Sequence, residues 1–237
     1  MVLFPAIDIL GARAVRLFKG DYNQVTVYSE RPWEVAQTFA DKGCKAIHIV
    51  DLDGAREGSA VNMDVVQRIA SVRGLFSEIG GGIRNMKTAE AYLKTGVSRI
   101  ILGTAALESP AFLKSALDSF ADKVAVGVDL RDGRVAVKGW LETSQTEGLD
   151  FLKSLQDMGV ESAIVTDISR DGAMKGPNVE LYRTLSSSLD MKITASGGVS
   201  TLDDLRRLKE AGVSAAIIGK AYYTGAVRLE DALEVAG

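Results

Sequence analysis

The sequence predicts an α/β protein that folds as a single eight-stranded parallel βα (TIM) barrel over residues 1–237. Three observations predict this fold. Short apolar runs alternate with segments of helical periodicity, a pattern of glycines and aspartates occurs twice, and polar residues follow the apolar runs. An open doubly wound sheet is the alternative, and the repeat favours a closed barrel of two homologous half-barrels, about residues 1–120 and 121–237.

The predicted strands are short apolar runs, a length that suits strands better than helices. In chain order they cover residues 3–7, 46–50, 75–79, 99–102, 124–128, 163–165, 192–195 and 215–218. The residues between them have helical periodicity, as with Ala89 and Leu93. Pro32 and Pro110 stand where helices are expected to begin, a position that tolerates the missing N–H of proline.

The two halves share residues at constant offsets. The matched pairs are Asp51 and Asp167, Gly81-Gly82 and Gly197-Gly198, and Gly103 and Gly219, each 116 residues apart (197 minus 81). Asp8 and Asp129 are 121 residues apart (129 minus 8), and each is followed by a Lys-Gly pair, Lys19-Gly20 and Lys138-Gly139. This repetition predicts two copies of one four-stranded unit.

The composition narrows the possible partners. The chain has 46% hydrophobic and 25% charged residues and a net charge of -3, with no basic run that would suit a nucleic acid. The apolar stretch 2–7 is too short for a signal peptide or a membrane span, so we expect no membrane partner and a cytoplasmic location. With one cysteine, Cys44, and one histidine, His48, the chain has no intrachain disulfide and no zinc site of thiolates or imidazoles.

Polar or glycine residues follow each predicted strand, where βα-barrel enzymes carry their active sites. Glycines after the third, fourth, seventh and eighth strands expose backbone N–H groups to an anion at a helix N-terminus. The residues concerned are Gly81, Gly82, Gly103 and Thr104 in the first half and Gly197, Gly198, Gly219 and Lys220 in the second. Because these strands lie opposite each other in a barrel, the sequence predicts an elongated ligand with a phosphate at each end. Asp51 and Asp167 also follow strands, where they either cap turns or belong to the site.

Asp8 and Asp129 end the first and fifth predicted strands, on opposite sides of the barrel mouth. Two facing carboxylates, one ionised and one protonated, form a general base and a general acid that move a proton between carbon and oxygen without a metal or cofactor. The sequence therefore predicts a cofactor-independent enzyme at this position.

The connections 9–31 and 130–148 are longer than usual for βα units, so we expect them to be lids or binding segments. Trp140 lies in the second one and is predicted to stack on a flat ligand, whereas Trp33 begins a helix and is predicted to pack. His48 is expected one layer below its strand end, either as a satisfied interior histidine or as a ligand contact. Cys44 is predicted to be inert packing.

Eight segments spread along the chain carry a resemblance to a known family. They are Pro5-Ala6-Ile7-Asp8, Gly20-Asp21-Tyr22, His48-Ile49-Val50-Asp51-Leu52-Asp53-Gly54-Ala55, Gly80-Gly81-Gly82-Ile83-Arg84, Gly103-Thr104-Ala105-Ala106, Lys138-Gly139-Trp140, Gly176-Pro177-Asn178 and Ser196-Gly197-Gly198-Val199. These segments resemble the ProFAR isomerase family of histidine biosynthesis, and the likeness covers essentially the whole chain. That family opens the sugar ring of a bisphosphorylated imidazole carboxamide nucleotide and converts the aminoaldose to the aminoketose by an Amadori rearrangement. The resemblance implies a duplicated barrel, an aldose-ketose isomerase and no cofactor.

The resemblance also implies roles for individual residues. Asp8 resembles the base that removes the C2 proton, and Asp129 resembles the acid that protonates the ring oxygen. Thr166 matches a threonine that supports the reacting sugar. Asp171-Gly172 match a contact to substrate and phosphate, and Arg16 matches an arginine on the first loop.

The chain departs from the family pattern at two places. Ala12-Arg13 stands where a Gly-Lys pair is usual, with Gly11 one place early, and Ala173 stands where a threonine is frequent. The first departure affects the shape of the first loop, and the second affects any hydroxyl contact at that position.

Three other functions are alternatives. The cyclase subunit of imidazole glycerol phosphate synthase has the same duplicated barrel, but Pro5-Ala6-Ile7-Asp8 and Gly139-Trp140 resemble the isomerase. A dual-substrate isomerase would also accept phosphoribosyl anthranilate, from tryptophan synthesis. A phosphate-ligand sensor without catalysis is disfavoured by intact Asp8, Asp129 and Thr166. For the isomerase we expect a monomer that binds a small bisphosphorylated molecule, whereas the cyclase would use ammonia from a glutaminase partner.

Overall fold

The computed structural model describes residues 1–18, 20–137, 140 and 142–237. Lys19 and Lys138-Gly139, which belong to the repeated Lys-Gly pairs, lie outside the described residues. The strands are β1 (Val2–Leu10), β2 (Arg13–Phe18), β3 (Asp21–Ser29), β4 (Ala46–Asp51), β5 (Phe76–Gly80), β6 (Arg99–Leu102), β7 (Val124–Arg131), β8 (Arg134–Val137), β9 (Glu142–Glu147), β10 (Ser162–Asp167), β11 (Lys192–Ser196) and β12 (Ala215–Ile218).

Helices connect the strands on the outside. They are α1 (Pro32–Asp41), α2 (Leu52–Glu57), α3 (Met63–Ala70), α4 (Met86–Lys94), α5 (Thr104–Glu108), α6 (Pro110–Phe120), α7 (Gly148–Asp157), α8 (Val179–Ser188), α9 (Leu202–Glu210), α10 (Lys220–Tyr223) and α11 (Leu229–Ala236), with a 3₁₀ turn at Ala121–Lys123. Pro32 and Pro110 begin α1 and α6, as predicted. None of the helices in the described part of the chain has both the length and the apolar character needed to span a lipid bilayer.

Eight of these strands form a closed parallel barrel. Their order around the barrel is β1, β4, β5, β6, β7, β10, β11 and β12, and β12 pairs with β1 to complete the circle. All eight coincide with the eight apolar runs of the sequence, within about three residues at either end. The predicted α/β barrel is therefore confirmed.

The two long connections are β-hairpins rather than loops. β2 and β3 extend β1, and β8 and β9 extend β7, all by antiparallel pairing. The turns Gly11-Ala12 and Asp132-Gly133 have positive φ at all four residues (56°, 63°, 51° and 82°), as a two-residue turn between twisted strands requires. β1 and β7 are four strands apart in either direction, so the hairpins rise from opposite sides of the barrel.

The barrel separates two apolar cores. Side chains that alternate along each strand point inward or outward. A small inner core fills the barrel with Phe4, Ala6, Ala46, Ile101, Ala125, Ile164, Ala215 and Ile217. The outward-facing set, which includes Ile7, Ile49 and Val165, packs against the helices in one large cluster. The inner core lies in the lower part of the barrel, which leaves the carboxyl ends of the strands for polar side chains.

Candidate active site

Asp8 lies near the carboxyl end of β1, on the same side as Ala6, and touches a cation. Arg16, on the neighbouring hairpin strand β2, places Nη1 at 2.9 Å from Oδ2 of Asp8, and both side chains are largely buried. Burial raises the pKa of Asp8 and the Arg16 charge lowers it, while the charge of Asp171 adds to the rise. The net effect is a raised pKa, with a guanidinium in place to favour the ionised carboxylate.

Asp129 occupies the matching end of β7, and its partners are neutral. The indole Nε1 of Trp140 donates to Oδ2 of Asp129 at 2.9 Å, and the Thr166 hydroxyl donates to the same carboxylate. Thr166 is the direct neighbour of Asp129 across the β7–β10 pairing. Burial raises the pKa of Asp129, and these two hydrogen bonds only partly oppose it, so the pKa stays above its ordinary value. Burial thus raises the pKa of both carboxyl groups, and they differ in their contacts: Asp8 touches a guanidinium, whereas Asp129 accepts from neutral donors.

The Trp140 ring also touches the other hairpin. A β-carbon placed on Gly20 would lie 3.0 Å from Cε3 and Cζ3 of the indole, so the ring rests on the backbone of the β2–β3 turn. Trp140 adopts a left-handed φ of 72°, and Arg131 holds its carbonyl oxygen at 2.8 Å. The two hairpins therefore meet above the barrel mouth, with Trp140 between them.

The β2–β3 hairpin, which carries Arg16, is anchored to α10 and β1 by aromatic and hydrogen-bond contacts. The ring of Tyr28 on β3 lies 4.6 Å from that of Tyr223 on α10, whose hydroxyl donates to the Ala6 carbonyl at 2.8 Å. The Arg16 guanidinium also lies against Gly219, which follows β12. A β-carbon added to Gly219 would clash with it. Arg16 thus lies between Asp8 and the predicted phosphate loop after β12.

Asp171 and Gly172 lie in the loop between β10 and α8, close to the site centre. The charge of Asp171 acts on both Asp8 and Asp129. Lys220, at the start of α10, donates from Nζ to the Gly172 carbonyl at 2.9 Å. This contact ties the β10–α8 loop to the loop after β12.

The four paired glycines have a backbone role. All of them have positive φ: 121° at Gly81, 71° at Gly82, and 92° at both Gly197 and Gly198. A β-carbon at Gly82 would clash with the Gly54 carbonyl, and one at Gly198 would clash with Gly176. These glycines allow adjacent βα loops to approach closely, and this role does not depend on a bound phosphate.

Gly103 and Gly219 are different, because they immediately precede short helices. Gly103 is followed by Thr104 at the start of α5, and Gly219 by Lys220 at the start of α10. A β-carbon on Gly103 would meet no atom within 4 Å. A β-carbon would therefore enter open space at Gly103 and meet the flexible Arg16 side chain at Gly219.

Asp51 and Asp167, which the sequence left between turn caps and site residues, are structural. Asp51 accepts from the backbone N–H of Gly54 at 2.9 Å and from Nδ2 of Asn62 at 2.7 Å. Asp167 accepts from Ser169 N–H at 3.0 Å and from Nδ2 of Asn178 at 2.9 Å. Each carboxylate is buried and engaged in its own loop.

His48 lies inside the barrel, one layer below the strand ends. Its Nδ1 is 2.7 Å from Oε1 of Glu78, and Arg99 bonds the other carboxylate oxygen through Nε at 3.1 Å and through Nη2. Sequence reasoning missed Glu78 and Arg99. A charged residue within a short apolar strand was the signal that could have identified them.

The remaining predictions concern packing. Trp33 packs against the core with Arg68 over its ring at 4.1 Å, and Cys44 is buried with its thiol pKa raised to about 11 by burial. Both confirm the packing roles. Within the described ranges, no group of three or more His, Cys, Asp or Glu side chains is arranged to hold a metal ion.

The chain matches known proteins along almost its whole length. The family model described as "Histidine biosynthesis protein" matches residues 2–228. A protein of Clostridium acetobutylicum is 46% identical over 99% of this chain and 98% of its own length. One of Lactococcus lactis subsp. cremoris is 47% identical over 97% and 94%, and one of Acetivibrio thermocellus is 43% identical over 100% of both chains. All three are named 1-(5-phosphoribosyl)-5-((5-phosphoribosylamino)methylideneamino)imidazole-4-carboxamide isomerase. With this identity over almost its full length, the chain belongs to the histidine biosynthesis protein family.

Proposed function

We propose that this protein is the isomerase named in its relatives and converts the bisphosphorylated aminoaldose to the aminoketose in histidine biosynthesis. The observation that carries the proposal is the pair of carboxylates at opposite strand ends, Asp8 beside a cation and Asp129 beside neutral donors. The names of relatives 43–47% identical over nearly the whole chain give the substrate.

The reaction begins at Asp129. Its raised pKa keeps a proton available for the ring oxygen of the sugar, and proton transfer opens the ring to an imine at C1. Thr166 orients this carboxyl group and supports the reacting sugar.

Asp8 then removes the proton from C2. Arg16 favours the ionised form of Asp8 that this step requires. The electron pair of the broken C–H bond forms the C1–C2 double bond and neutralises the imine nitrogen. When C1 gains a proton and the C2 hydroxyl loses one, the aminoketose is complete, with no atom gained or lost and no cofactor used.

Two phosphate sites at opposite rims hold the ligand across the mouth. One comprises Gly81, Gly82, Gly103 and Thr104, and the other comprises Gly197, Gly198, Gly219 and Lys220, with Asp171-Gly172 beside it. Anchoring both ends places C2 between the aspartates, so binding energy remote from C2 contributes to the chemical step.

Trp140 and His48 contact the middle of the ligand. The indole ring covers the mouth and presents a flat face of suitable size for an imidazole carboxamide, and His48 lies beneath. The two carboxylates and both phosphate sites lie in one barrel and need no second copy of the chain, so we propose a monomer. A reduced, buried Cys44 fits the cytoplasm.

A coupled assay with the purified protein tests the proposal. We expect turnover of the imidazole carboxamide aminoaldose and little or none of phosphoribosyl anthranilate. Comparable turnover of both would favour the dual-substrate isomerase, and binding without turnover would favour the sensor. Production of imidazole glycerol phosphate from ammonia and the isomerised product would indicate the cyclase.

A further inference from the structure

Three charged side chains lie together inside the barrel, below the proposed site. The Glu78 side chain is fully buried, and it bonds His48 through one carboxylate oxygen and Arg99 through the other. His48 and Arg99 each expose about an eighth of their side chains (12%). Buried ions lose their hydration, and replacing them with apolar residues is often neutral or stabilising, so their presence needs a reason.

The second half of the barrel shows that packing is not that reason. Positions 116 residues after His48, Glu78 and Arg99 are Ile164, Thr194 and Ala215. The register is the same in both halves: His48 pairs with Glu78 and Glu78 with Arg99, as Ile164 pairs with Thr194 and Thr194 with Ala215. Uncharged side chains therefore fill the equivalent layer, and the charges of the first half serve another purpose.

The location of His48 suggests that purpose. His48 pairs with Ala6, two residues before Asp8 on the same inward row of β1. Its ring is near enough to Asp8 and Asp129 for a proton on it to interact electrostatically with both carboxyl groups. The imidazole is thus the side chain of the trio nearest to the proposed reacting atoms.

Glu78 determines how that imidazole is held. Burial raises the pKa of Glu78, but the hydrogen bond and charge of His48 and the guanidinium of Arg99 outweigh it, so the pKa lies below its ordinary value. An ionised carboxylate only accepts hydrogen bonds, so the proton between the two groups belongs to Nδ1. In the described part of the chain, Nε2 has no hydrogen-bond partner.

We infer that Glu78 and Arg99 are positioning residues, which hold His48 with Nδ1 protonated and so present Nε2 to a hydroxyl or amide in the middle of the ligand. This inference rests on the proposed function for the identity of the ligand. The protonation of the ring in the free protein does not depend on that function.

The chain contains one histidine, which makes the ring directly observable. We expect nitrogen NMR of histidine-labelled protein without ligand to show a proton on Nδ1. A neutral ring with its proton on Nε2 in the folded parent would overturn the inference, whatever the variants do.

The double variant Glu78→Met, Arg99→Met removes both charges together and leaves no unpaired buried ion. It should fold, lose the preference for the Nδ1 proton, and lose turnover by about tenfold. The control Thr194→Val changes the equivalent layer of the second half and should keep parental turnover. A folded double variant with parental turnover would contradict the inference, as would an equal loss in the control.

A double-mutant cycle with His48→Gln distinguishes a positioning role of Glu78 and Arg99 from a general disturbance of the barrel. In a His48→Gln background, adding Glu78→Met and Arg99→Met should change turnover by less than about twofold, because these residues act through the ring. A further tenfold loss of turnover would show that Glu78 and Arg99 do not act through the His48 ring. If the parent itself fails to isomerise, the proposed function fails, while the NMR result still decides how His48 is held.

Discussion

Asp8 and Asp129 occupy equivalent strand ends in the two halves, yet they meet different partners. Asp8 touches the Arg16 guanidinium at 2.9 Å, and Asp129 accepts from the Trp140 indole at 2.9 Å and from Thr166. Arg16 lies on the hairpin that extends β1, and Trp140 follows β8 in the hairpin that extends β7. The same backbone framework thus places a cation beside one carboxylate and neutral donors beside the other, and we propose that this difference assigns Asp8 as the base and Asp129 as the acid.

The largest expected effect comes from removing either carboxylate. Asp8→Asn and Asp129→Asn should each lower turnover by about 100-fold or more, the size of a general acid–base contribution. Steady-state kinetics measures it, with Asp132→Asn as a control because this carboxylate lies in the exposed β7–β8 turn. Near-normal turnover in either site variant would break the assignment of the pair.

Replacing the hairpin side chain that contacts each carboxyl group, Arg16 or Trp140, should move a different limb of the pH–rate profile in each variant. Burial raises the pKa of Asp8 and the Arg16 charge lowers it, so Arg16→Gln should raise it further and move the acid limb to higher pH. Turnover below that limb should fall by about tenfold. Burial also raises the pKa of Asp129 and the Trp140 N–H lowers it, so Trp140→Phe should move the basic limb to higher pH. If both variants move the same limb, the division into base and acid is wrong.

Alanine substitution should have different effects at Gly103 and Gly219, the glycines that precede α5 and α10. Gly103→Ala adds a methyl group that meets no protein atom within 4 Å, so we expect a normal fold and a KM raised by about tenfold. Gly219→Ala pushes against the Arg16 guanidinium and should lower kcat as well as raise KM. Thermal unfolding verifies folding in both variants. An unchanged KM in Gly103→Ala would remove the phosphate site from that rim.

The smallest expected effect concerns stability against pH. Because burial raises the pKa of Asp129, the folded protein binds a proton more tightly than the unfolded chain, and the free energy of unfolding falls as pH rises from 3.8 through the raised pKa. Asp129→Asn lacks this fall, so at pH 8 its Tm should exceed that of the parent by about 2–4 °C. Asp8→Asn should show no such gain, because it leaves Arg16 without its carboxylate. Equal gains in Tm in both variants would show that the Asp8–Arg16 ion pair contributes little to stability.

The fold could be predicted because its signals repeat. The eight barrel strands and the helix starts at Pro32 and Pro110 follow from periodicity or local backbone chemistry, and Cys44 is buried as predicted. The two hairpins are not among the predicted elements, although Asp132-Gly133 between short alternating runs is a hairpin signal.

The site was predictable in its members and less so in its contacts. Asp8, Asp129, Thr166, Arg16 and Trp140 do meet at the mouth. The burial of Asp51 and Asp167 in their own loops and the His48, Glu78 and Arg99 cluster became visible in three dimensions.

By itself, the sequence determined where strands, turns and polar strand ends lie, because hydrophobic periodicity and the conformational demands of proline and glycine act over a few residues. The tertiary structure decided which groups share a proton or a charge. His48 and Glu78 are 30 residues apart and meet through strand register, and Arg16 and Trp140 reach Asp8 and Asp129 because antiparallel hairpins fold back over the mouth. Electrostatic and hydrogen-bond energies depend on distances of a few ångströms and on burial, and neither is written in the spacing of residues along the chain.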